Sequence, residues 1–337
     1  MTVSLNTLFE TIGVPTSDDM AKPLYAVLPV PGYQSYFIGK DRDSRACLLV
    51  ATIDDSQRQP SPIRLESLDV QFELPCRLKK ERELAKNGRF TVIRCRSLDG
   101  ETVRYFLSVC EVVLRTIGDN PARREIASAV HRLAVIFQKT QKPPARTVNG
   151  LFGELYLLSR SSNPARALTA WRIDDAARFD FVDGDVRLDV KTTSSRERTH
   201  IFSYEQCNPP PGTIAVAASM FVERVSRGIS LRSLLDHIAE IVGPQIDLAL
   251  KLHEVTAATL GTSLNESMSL SFDGKLAESS LRFFNLTNLP AIRGPLPAGV
   301  SGVRFRSDLS MSNAISIADL IDLDPVFSSL LPKRNEI

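Results

Sequence analysis

The sequence predicts an α/β protein, in which a β-rich N-terminal part precedes a domain of alternating helices and strands. Residues 1–100 contain short apolar stretches separated by proline and glycine, a pattern typical of strands and turns. Residues 103–137 carry apolar side chains at the three- and four-residue spacing of helices. After residue 147, helix-like and strand-like stretches alternate, which completes the α/β pattern.

The N-terminal part is expected to form a small β-rich module. Four strands are predicted where aromatic and β-branched residues concentrate, at residues 25–30, 36–39, 47–51 and 90–95. Pro31-Gly32 and Asn87-Gly88 are turn sequences. Six basic residues also cluster here, and a solvated surface is favoured over a phosphate-binding one because charge runs are usually only solvated: Arg77, Lys79, Lys80, Arg82, Lys86 and Arg89.

The domain organisation follows from a change in periodicity and from one polar segment. Two helices are predicted between residue 101 and residue 137, and the segment 138–146 is polar, basic and proline-bearing. We therefore expect a β-rich module at 1–100, a helical connector at 101–146 and the main domain at 147–337.

Composition excludes several kinds of protein. The 337 residues include 41 Lys and Arg against 39 Asp and Glu, so any nucleic-acid surface must be local. The five cysteines are scattered and odd in number, which is typical of reduced thiols in a cytoplasmic protein. The N-terminus does not have the pattern of a signal peptide, and no apolar stretch approaches the ~20 residues of a membrane span.

The third predicted helix begins near Thr147 and contains an acidic residue in apolar company. Glu154 lies within the sequence GLFGELYLL, and Gly153 before it would let another element approach closely. A buried carboxylate is costly unless it has a partner. From the residues alone, an exposed helix glutamate is the better interpretation.

Residues 178–193, RFDFVDGDVRLDVKTT, predict a β-hairpin with Asp183-Gly184 as a two-residue turn. With this turn, Val182 would pair with Asp185, and Asp180 would lie opposite Arg187.

The second strand of the hairpin alternates apolar and charged residues. Period-two alternation places Asp189 and Lys191 on the face that Asp180 also shares. Two carboxylates and an ammonium at this spacing could hold a hard divalent cation and a water. The same alternation is typical of any solvent-facing strand, and the residues alone favour that interpretation.

Two features follow the hairpin. Ser203 and Gln206 have the spacing of a helix-capping box, and a catalytic glutamine explains Gln206 about equally well. Residues 213–222 form an apolar run that suits a buried strand. The preceding Trp171 is interpreted as a core residue.

Together, these residues resemble the PD-(D/E)XK nuclease superfamily, whose restriction-endonuclease-like fold has an αβα core with a mixed sheet. Asp180 and the run Asp189-Val190-Lys191 match its motif, and Glu154 matches a frequent acidic residue on the preceding helix. More narrowly, the chain is similar to a bacterial family of unknown function assigned to this superfamily. Similar features include GLFGEL, Trp171, FDF, DVKTT, His200, Ser203, Gln206 and GVSGVRF. Two departures are Phe179 in place of the motif proline and Asp189 in place of the commoner Glu.

The resemblance implies a metal-dependent endonuclease that hydrolyses DNA phosphodiester bonds within a bacterial restriction or anti-phage defence system. Mg²⁺, or alternatively Mn²⁺, would be held by Asp180, Asp189, Glu154 and the Val190 carbonyl. Lys191 would orient the attacking water, and Gln206 would orient that water or contact the DNA backbone. Phosphates would be held by Arg187, Arg196, Arg198 and His200.

Two alternatives stay open at this point. One is a non-cutting DNA- or partner-binding protein that retains the nuclease fold, although the intact Asp180, Asp189 and Lys191 argue against it. The other is an ordinary structural or interaction protein. Any helicase, ATPase or methyltransferase would be a separate subunit, a homodimer remains an open possibility, and we expect no membrane partner.

Overall fold

The computed structural model describes residues 4–15, 23–51, 59–80, 85–174, 176–243 and 245–332. It divides into two compact units, Met1–Pro143 and Pro144–Ile337. The division falls within the proline-bearing segment 138–146, and the expected helical connector forms part of the first unit. Arg82, from the predicted basic cluster, lies outside the described residues.

The first unit is built on a sheet with the strand order β1-β2-β3-β6-β5-β4. Neighbouring strands are antiparallel, and β1 also pairs in parallel with β5, so that the sheet closes on itself. Its elements are α1 (Leu5–Glu10), β1 (Leu24–Pro29), β2 (Tyr36–Lys40), β3 (Ala46–Ala51), β4 (Ile63–Arg64), β5 (Leu68–Lys79), β6 (Lys86–Cys95), α2 (Gly100–Ile117) and α3 (Arg123–Lys139).

The turn predicted at Asn87-Gly88 is wrong, because both residues lie in β6 and pair with β5. Elements α1, β4 and β5 are not predicted from the sequence, and β5 is the longest of them. Pro75 lies within it, and a proline normally argues against a strand interior because it cannot donate to the ladder. The register shifts between Gln71 and Leu74, and Glu73 has a φ of +49°, so a bulge accommodates the irregularity.

The second unit contains a mixed four-stranded sheet with the order β13-β10-β8-β7. Strands β8 and β10 are parallel, whereas the other two pairs are antiparallel. The elements are α4 (Val148–Arg160), α5 (Pro164–Ala170), β7 (Phe181–Asp183), β8 (Val186–Thr193), β9 (Thr199–Ser203), α6 (Tyr204–Cys207), β10 (Ile214–Phe221), β11 (Arg224–Ser230), α7 (Leu231–Val242), α8 (Ile246–Leu260), α9 (Leu264–Met268), β12 (Ser271–Phe272), α10 (Gly274–Ser280), β13 (Arg282–Asn285), β14 (Arg304–Asp308), α11 (Ile317–Leu323) and α12 (Phe327–Leu330).

Different elements cover the two faces of this sheet. Helix α4 packs against the face that carries Val190, because a side-chain carbon added to Gly153 would lie 3.0 Å from the Val190 Cγ1 atom. On the opposite face, Phe202 of β9 packs in a core cluster with Ala215 and Ala217. The chain therefore has the mixed α/β fold that the sequence predicts, and the face bearing Asp189 is covered rather than open to solvent.

The hairpin forms, but the predicted turn is wrong by one residue. The turn is Gly184-Asp185, because Asp183 pairs with Val186 and Val182 pairs with Arg187. Gly184 has a φ of +56°, which suits a glycine at the first turn position. The register therefore differs by two residues from the prediction, and this shift leaves every side chain on its predicted face.

Two expectations about individual residue types are confirmed. The five cysteines are buried free thiols. Trp171 is a core residue, with only 1% of its surface exposed. Within the described part of the chain, no helix combines the length and the apolar character that crossing a membrane requires.

Candidate functional site

Asp180 lies immediately before β7, and its carboxylate contacts the backbone of β8 and the side chain of Arg146. If the register continues by one residue, Asp180 comes opposite Asp189 rather than the predicted Arg187. The Val190 backbone N–H donates to Asp180 Oδ2 at 2.8 Å. Arg146 Nη1 donates to Asp180 Oδ1 at 2.6 Å. The carboxylate is thus buried, but both of its oxygens are paired.

Asp189 and Lys191 form a close ion pair on the second strand. Lys191 Nζ lies 2.8 Å from Asp189 Oδ2 and 5.0 Å from the centre of the Phe202 ring. Burial raises the pKa of Asp189 to about 6, an effect that the Lys191 charge opposes and the Asp180 charge reinforces. The interpretation of this strand face as merely solvated is therefore wrong, since Asp189 is only 3% exposed.

Gln206 forms the predicted capping box and also contacts Asp189. Its side-chain oxygen accepts from the Ser203 backbone N–H at 3.0 Å, and Ser203 Oγ accepts from the Gln206 N–H at 3.2 Å, so the capping box is present. The side-chain nitrogen donates to Asp189 Oδ1 at 2.9 Å and to the Arg178 carbonyl at 2.6 Å. The start of α6 therefore holds the Asp189 carboxylate in place.

Glu154 is buried, so its interpretation as an exposed helix glutamate is wrong. Trp171 Nε1 donates to Glu154 Oε2 at 2.7 Å, and Arg172 Nε donates to the same oxygen at 3.1 Å. Burial raises the pKa of Glu154 to about 7, and the Asp180 charge adds to the rise while Arg172 and Arg146 oppose it. The partners explain why a carboxylate is tolerated in this apolar helix.

Gly153 allows α4 to pack closely against the sheet, which places Glu154 near the candidate site. A side-chain carbon at this position would lie 2.4 Å from Thr192 Cγ2, which is closer than atoms can pack. The close approach predicted from the sequence is therefore confirmed, and the neighbour is β8.

Asp180 is the carboxylate that links the other two, because its negative charge raises the pKa of both Glu154 and Asp189. Glu154 arrives from the Val190 side of the sheet, whereas Asp189 projects to the other side and Asp180 lies between them. In the described ranges, no three acidic, histidine or cysteine side chains form a cluster that could hold a metal ion. The donor set nonetheless suits Mg²⁺, which is usually held by one or two carboxylates together with substrate phosphates.

Two arginines belong to the site, and the sequence analysis missed both. Arg172 has no exposed side-chain surface and contacts Glu154, and its Nη2 donates to Thr259 Oγ1 at 2.9 Å. Arg146, which falls in the predicted linker, contacts Asp180. The burial cost of Glu154 was a signal that some cation would pair with it, but nothing in the linear pattern identified which one.

Of the four residues expected to hold phosphates, His200 and Arg198 are engaged inside the protein, whereas Arg187 and Arg196 contact groups at its surface. His200 is 5% exposed, and its Nε2 lies 2.8 Å from Ser219 Oγ. Arg198 donates to the Ser219 and Ser280 carbonyls. Arg187 donates to the carbonyls of Gly184 and Val186, and exposed Arg196 pairs with Glu223 at 2.7 Å. The His200 ring is buried and faces Ser219 of β10, so in this arrangement it is not exposed to a phosphate at the protein surface.

The fold and site define a class of protein: a mixed α/β unit in which a hairpin carries one aspartate before its first strand and an Asp-x-Lys run on its second. Residues 9–310 match the model of a family described as "Putative PD-(D/E)XK family member", and the chain belongs to this family. The resemblance inferred from the sequence is confirmed at this level. No curated protein and no solved structure gives a significant match.

Proposed function

We propose that this protein is a metal-dependent endonuclease that hydrolyses DNA phosphodiester bonds. The observation that carries the proposal is the pair of buried Asp189 and half-buried Lys191, held by Gln206 and adjacent to Asp180, in a member of a PD-(D/E)XK family. A lysine paired with a buried carboxylate of raised pKa is a candidate functional site.

The proposed cofactor is Mg²⁺, with Mn²⁺ as the alternative. Asp180 and Asp189 would be its principal protein ligands, joined by the Val190 carbonyl and, through water, by Glu154. When bound, such a cation supplies an activated water and neutralises charge that develops on the phosphate. This assignment is supported by the oxygen-only donor set and by burial, which raises the pKa of both Asp189 and Glu154 and thereby favours a positive partner.

The protein groups have distinct proposed roles. Lys191 is held by Asp189 on one side and the Phe202 ring on the other, so its ammonium can orient a water and stabilise phosphate charge without a large rearrangement. Gln206 restrains the Asp189 carboxylate and keeps Oδ2 directed toward Lys191. Both groups are therefore preorganised for a step in which negative charge builds on a phosphate.

We propose that exposed arginines beside α6 bind the DNA backbone. The Arg178 carbonyl accepts from Gln206, and Arg304 pairs with Ser203 across the β9–β14 ladder, so both lie next to the helix that holds Asp189. Arg306 lies on the same exposed face of the ladder as Ile201. Among the described residues, none of the arginines 178, 304 and 306 has a carboxylate partner, which leaves their charges available to phosphates. Arg187 and Arg196 remain candidates at the periphery.

The biological setting is part of the same proposal. A bacterial restriction or anti-phage defence system, in the cytoplasm, would supply DNA as substrate, and separate helicase, ATPase or methyltransferase subunits would supply any other activities. Support for this setting comes from the family resemblance rather than from the geometry. Self-association into a homodimer would allow both strands to be cut.

A second candidate is a non-cutting DNA- or partner-binding protein that retains the fold. The observation that favours it is the charge balance of the site, because three carboxylates already face three cations without any metal: Glu154, Asp180 and Asp189 against Arg146, Arg172 and Lys191.

Plasmid cleavage distinguishes the two functions. The full chain is incubated with supercoiled plasmid in Mg²⁺, in Mn²⁺ and in EDTA, beside Asp189→Ala and Lys191→Ala. Asp185→Ala, on the exposed turn of the same hairpin, is the matched control. We expect metal-dependent nicking that both site variants abolish and the control retains. Cleavage that persists in both site variants would overturn the site, and salt-sensitive binding without cleavage would favour the second candidate.

A further inference from the structure

Arg146 links two of the proposed metal ligands. Its Nη1 atom lies 2.6 Å from Asp180 Oδ1 and 3.8 Å from Glu154 Oε1. Its Nη2 atom donates to the Ala177 carbonyl at 3.0 Å. The guanidinium therefore neutralises two buried carboxylates that would otherwise repel each other.

Arg172 contacts the same two carboxylates from the protein core. Its Nε atom is 3.1 Å from Glu154 Oε2 and 3.8 Å from Asp180 Oδ1, and its side chain has no exposed surface. Because Arg172 also bonds Thr259, it cannot leave without opening the core. We therefore expect Arg172 to stay paired with these carboxylates whether or not a metal ion is bound.

Arg146 differs from Arg172 because it lies on the open side. Its side chain is 26% exposed, compared with 3% for each carboxylate that it contacts. The residue precedes Thr147, the N-cap of α4, so its side chain is not part of the helix. The backbone there is secured separately, since the Ala145 N–H donates to the Thr259 carbonyl at 3.1 Å. A displacement of the guanidinium toward solvent therefore does not require the backbone to move.

A guanidinium and a divalent cation compete for the same carboxylate oxygens. Asp180 Oδ2 already accepts from the Val190 N–H, and a metal ion that approached Oδ1 would meet the Arg146 guanidinium. Two cations cannot share that oxygen closely without strong repulsion in a buried site.

We propose that Arg146 is a displaceable counter-ion, which balances Asp180 and Glu154 in the metal-free protein and must move outward before a divalent cation binds. This inference rests on the proposed function, because it concerns the same carboxylates. It assigns Arg146 a positioning role that sets the affinity of the site for metal. A purely structural arginine would instead affect stability and leave metal affinity unchanged.

Isothermal titration of the full chain with Ca²⁺, in the absence of DNA, tests the proposal directly. The variant is Arg146→Gln, and the matched control is Arg166→Gln, which removes an exposed arginine that pairs with Asp183 of the same hairpin at 2.7 Å. We expect Arg146→Gln to bind Ca²⁺ at least about tenfold more tightly than the parent, since a competing charge is gone. The control should bind as the parent does.

Thermal unfolding provides the second measurement. Without metal, Arg146→Gln should melt below the parent, because Asp180 and Glu154 then lose a shared partner. With Ca²⁺, its melting temperature should rise by more than that of the parent. If Arg146→Gln does not fold, Arg146→Lys replaces it in both measurements, with an expected affinity above that of the parent because a single ammonium cannot reproduce the guanidinium contacts.

Equal or weaker Ca²⁺ binding by the variant, or no binding by either protein, would overturn the proposal. Plasmid cleavage by the parent keeps this result separate from the proposed function. Cleavage together with unchanged affinity in Arg146→Gln rejects the counter-ion role and keeps the nuclease. Tighter binding by the variant without any cleavage supports the counter-ion role and rejects the nuclease.

Discussion

The side-chain amide of Gln206 donates to Asp189 Oδ1 at 2.9 Å, which ties the start of α6 to the centre of β8. The same amide completes the capping box with Ser203. One residue thus connects the geometry of a short helix to the orientation of a buried carboxylate, and changes at Gln206 should be felt at Asp189.

Gln206→Glu tests this connection. The substitution keeps the size of the side chain but replaces the donor with a second carboxylate facing Asp189. We expect DNA cleavage to fall by about 10- to 100-fold, the usual effect of losing a residue that orients a metal ligand. Initial rates on plasmid measure it, with Glu205→Gln on the same helix as the control. Parent-like rates in Gln206→Glu would show that Asp189 does not depend on this contact.

Glu154→Ala should destabilise the protein by about 3 kcal/mol, because it leaves the fully buried Arg172 without its main carboxylate partner. The matched control is Glu278→Ala, which breaks an exposed pair with Arg160 and should change stability by less than about 0.5 kcal/mol. Urea unfolding of both variants gives the comparison. Equal effects would mean that Glu154 is not the residue that satisfies Arg172.

Gly153→Ala should cost about 1–3 kcal/mol, since the added carbon would clash with Thr192 and push α4 away from β8. Gly150→Ala on the same helix is the control, because the added carbon there meets only Thr147 Oγ1 at 3.1 Å, and alanine favours the helix by up to about 1 kcal/mol. Thermal unfolding separates them. A neutral Gly153→Ala would mean that α4 and β8 can separate freely.

Buried histidines should make the protein sensitive to mild acid. Burial lowers the pKa of His253 to about 3, and burial together with Lys191 lowers the pKa of His200 to about 4. Because the unfolded chain then binds protons that the folded chain does not, these groups lower the free energy of unfolding as the pH falls below about 6.5. The raised pKa values of Glu154 and Asp189 act in the opposite direction, so a variant must isolate one group.

His253→Gln removes one such contribution. We expect the change in unfolding free energy between pH 6.5 and pH 4 to differ from that of the parent by about 3 kcal/mol, in the direction of lower acid sensitivity. The exposed His237→Gln is the control. Chemical denaturation at several pH values measures this, and parallel curves for parent and His253→Gln would contradict it.

The double variant Arg304→Ala/Arg306→Ala tests the proposed DNA-binding surface. If each arginine contacts one phosphate, the slope of log K against log salt should become shallower by about 2. Arg224→Ala/Arg227→Ala, which removes two exposed arginines of β11, is the matched control and should keep the parental slope. Fluorescence anisotropy with duplex DNA in EDTA provides the binding curves. An unchanged slope in the first variant would place the DNA elsewhere.

The sequence was most informative where interacting residues are close along the chain. The hairpin from Asp180 to Lys191 and the capping box of Ser203 and Gln206 both involve short separations, so strand period and helix-start chemistry predict them. The turn position was missed because Gly184 suits either position of a two-residue turn, and the choice depends on how β7 pairs beyond the turn.

Burial was the property that local patterns predicted least well. The residues alone indicate an exposed Glu154 and a solvent-facing Asp189, yet both side chains are buried. An alternating strand looks the same whether its polar face meets water or a second layer of the protein. Here that layer is Phe202 and α6, which follow the hairpin and fold back over it.

The sequence by itself determined the α/β class, and its resemblance to a known family gave the family and the candidate residues Asp180, Asp189 and Lys191, because these depend on patterns within short stretches. Only the tertiary structure decided that Arg146 and Arg172 complete the charge balance and that Glu154 reaches the site from the opposite side of the sheet. These contacts join segments such as Arg172 and Thr259, which are 87 residues apart. Charge pairing in a buried site depends on which distant segments meet, and local periodicity does not encode that.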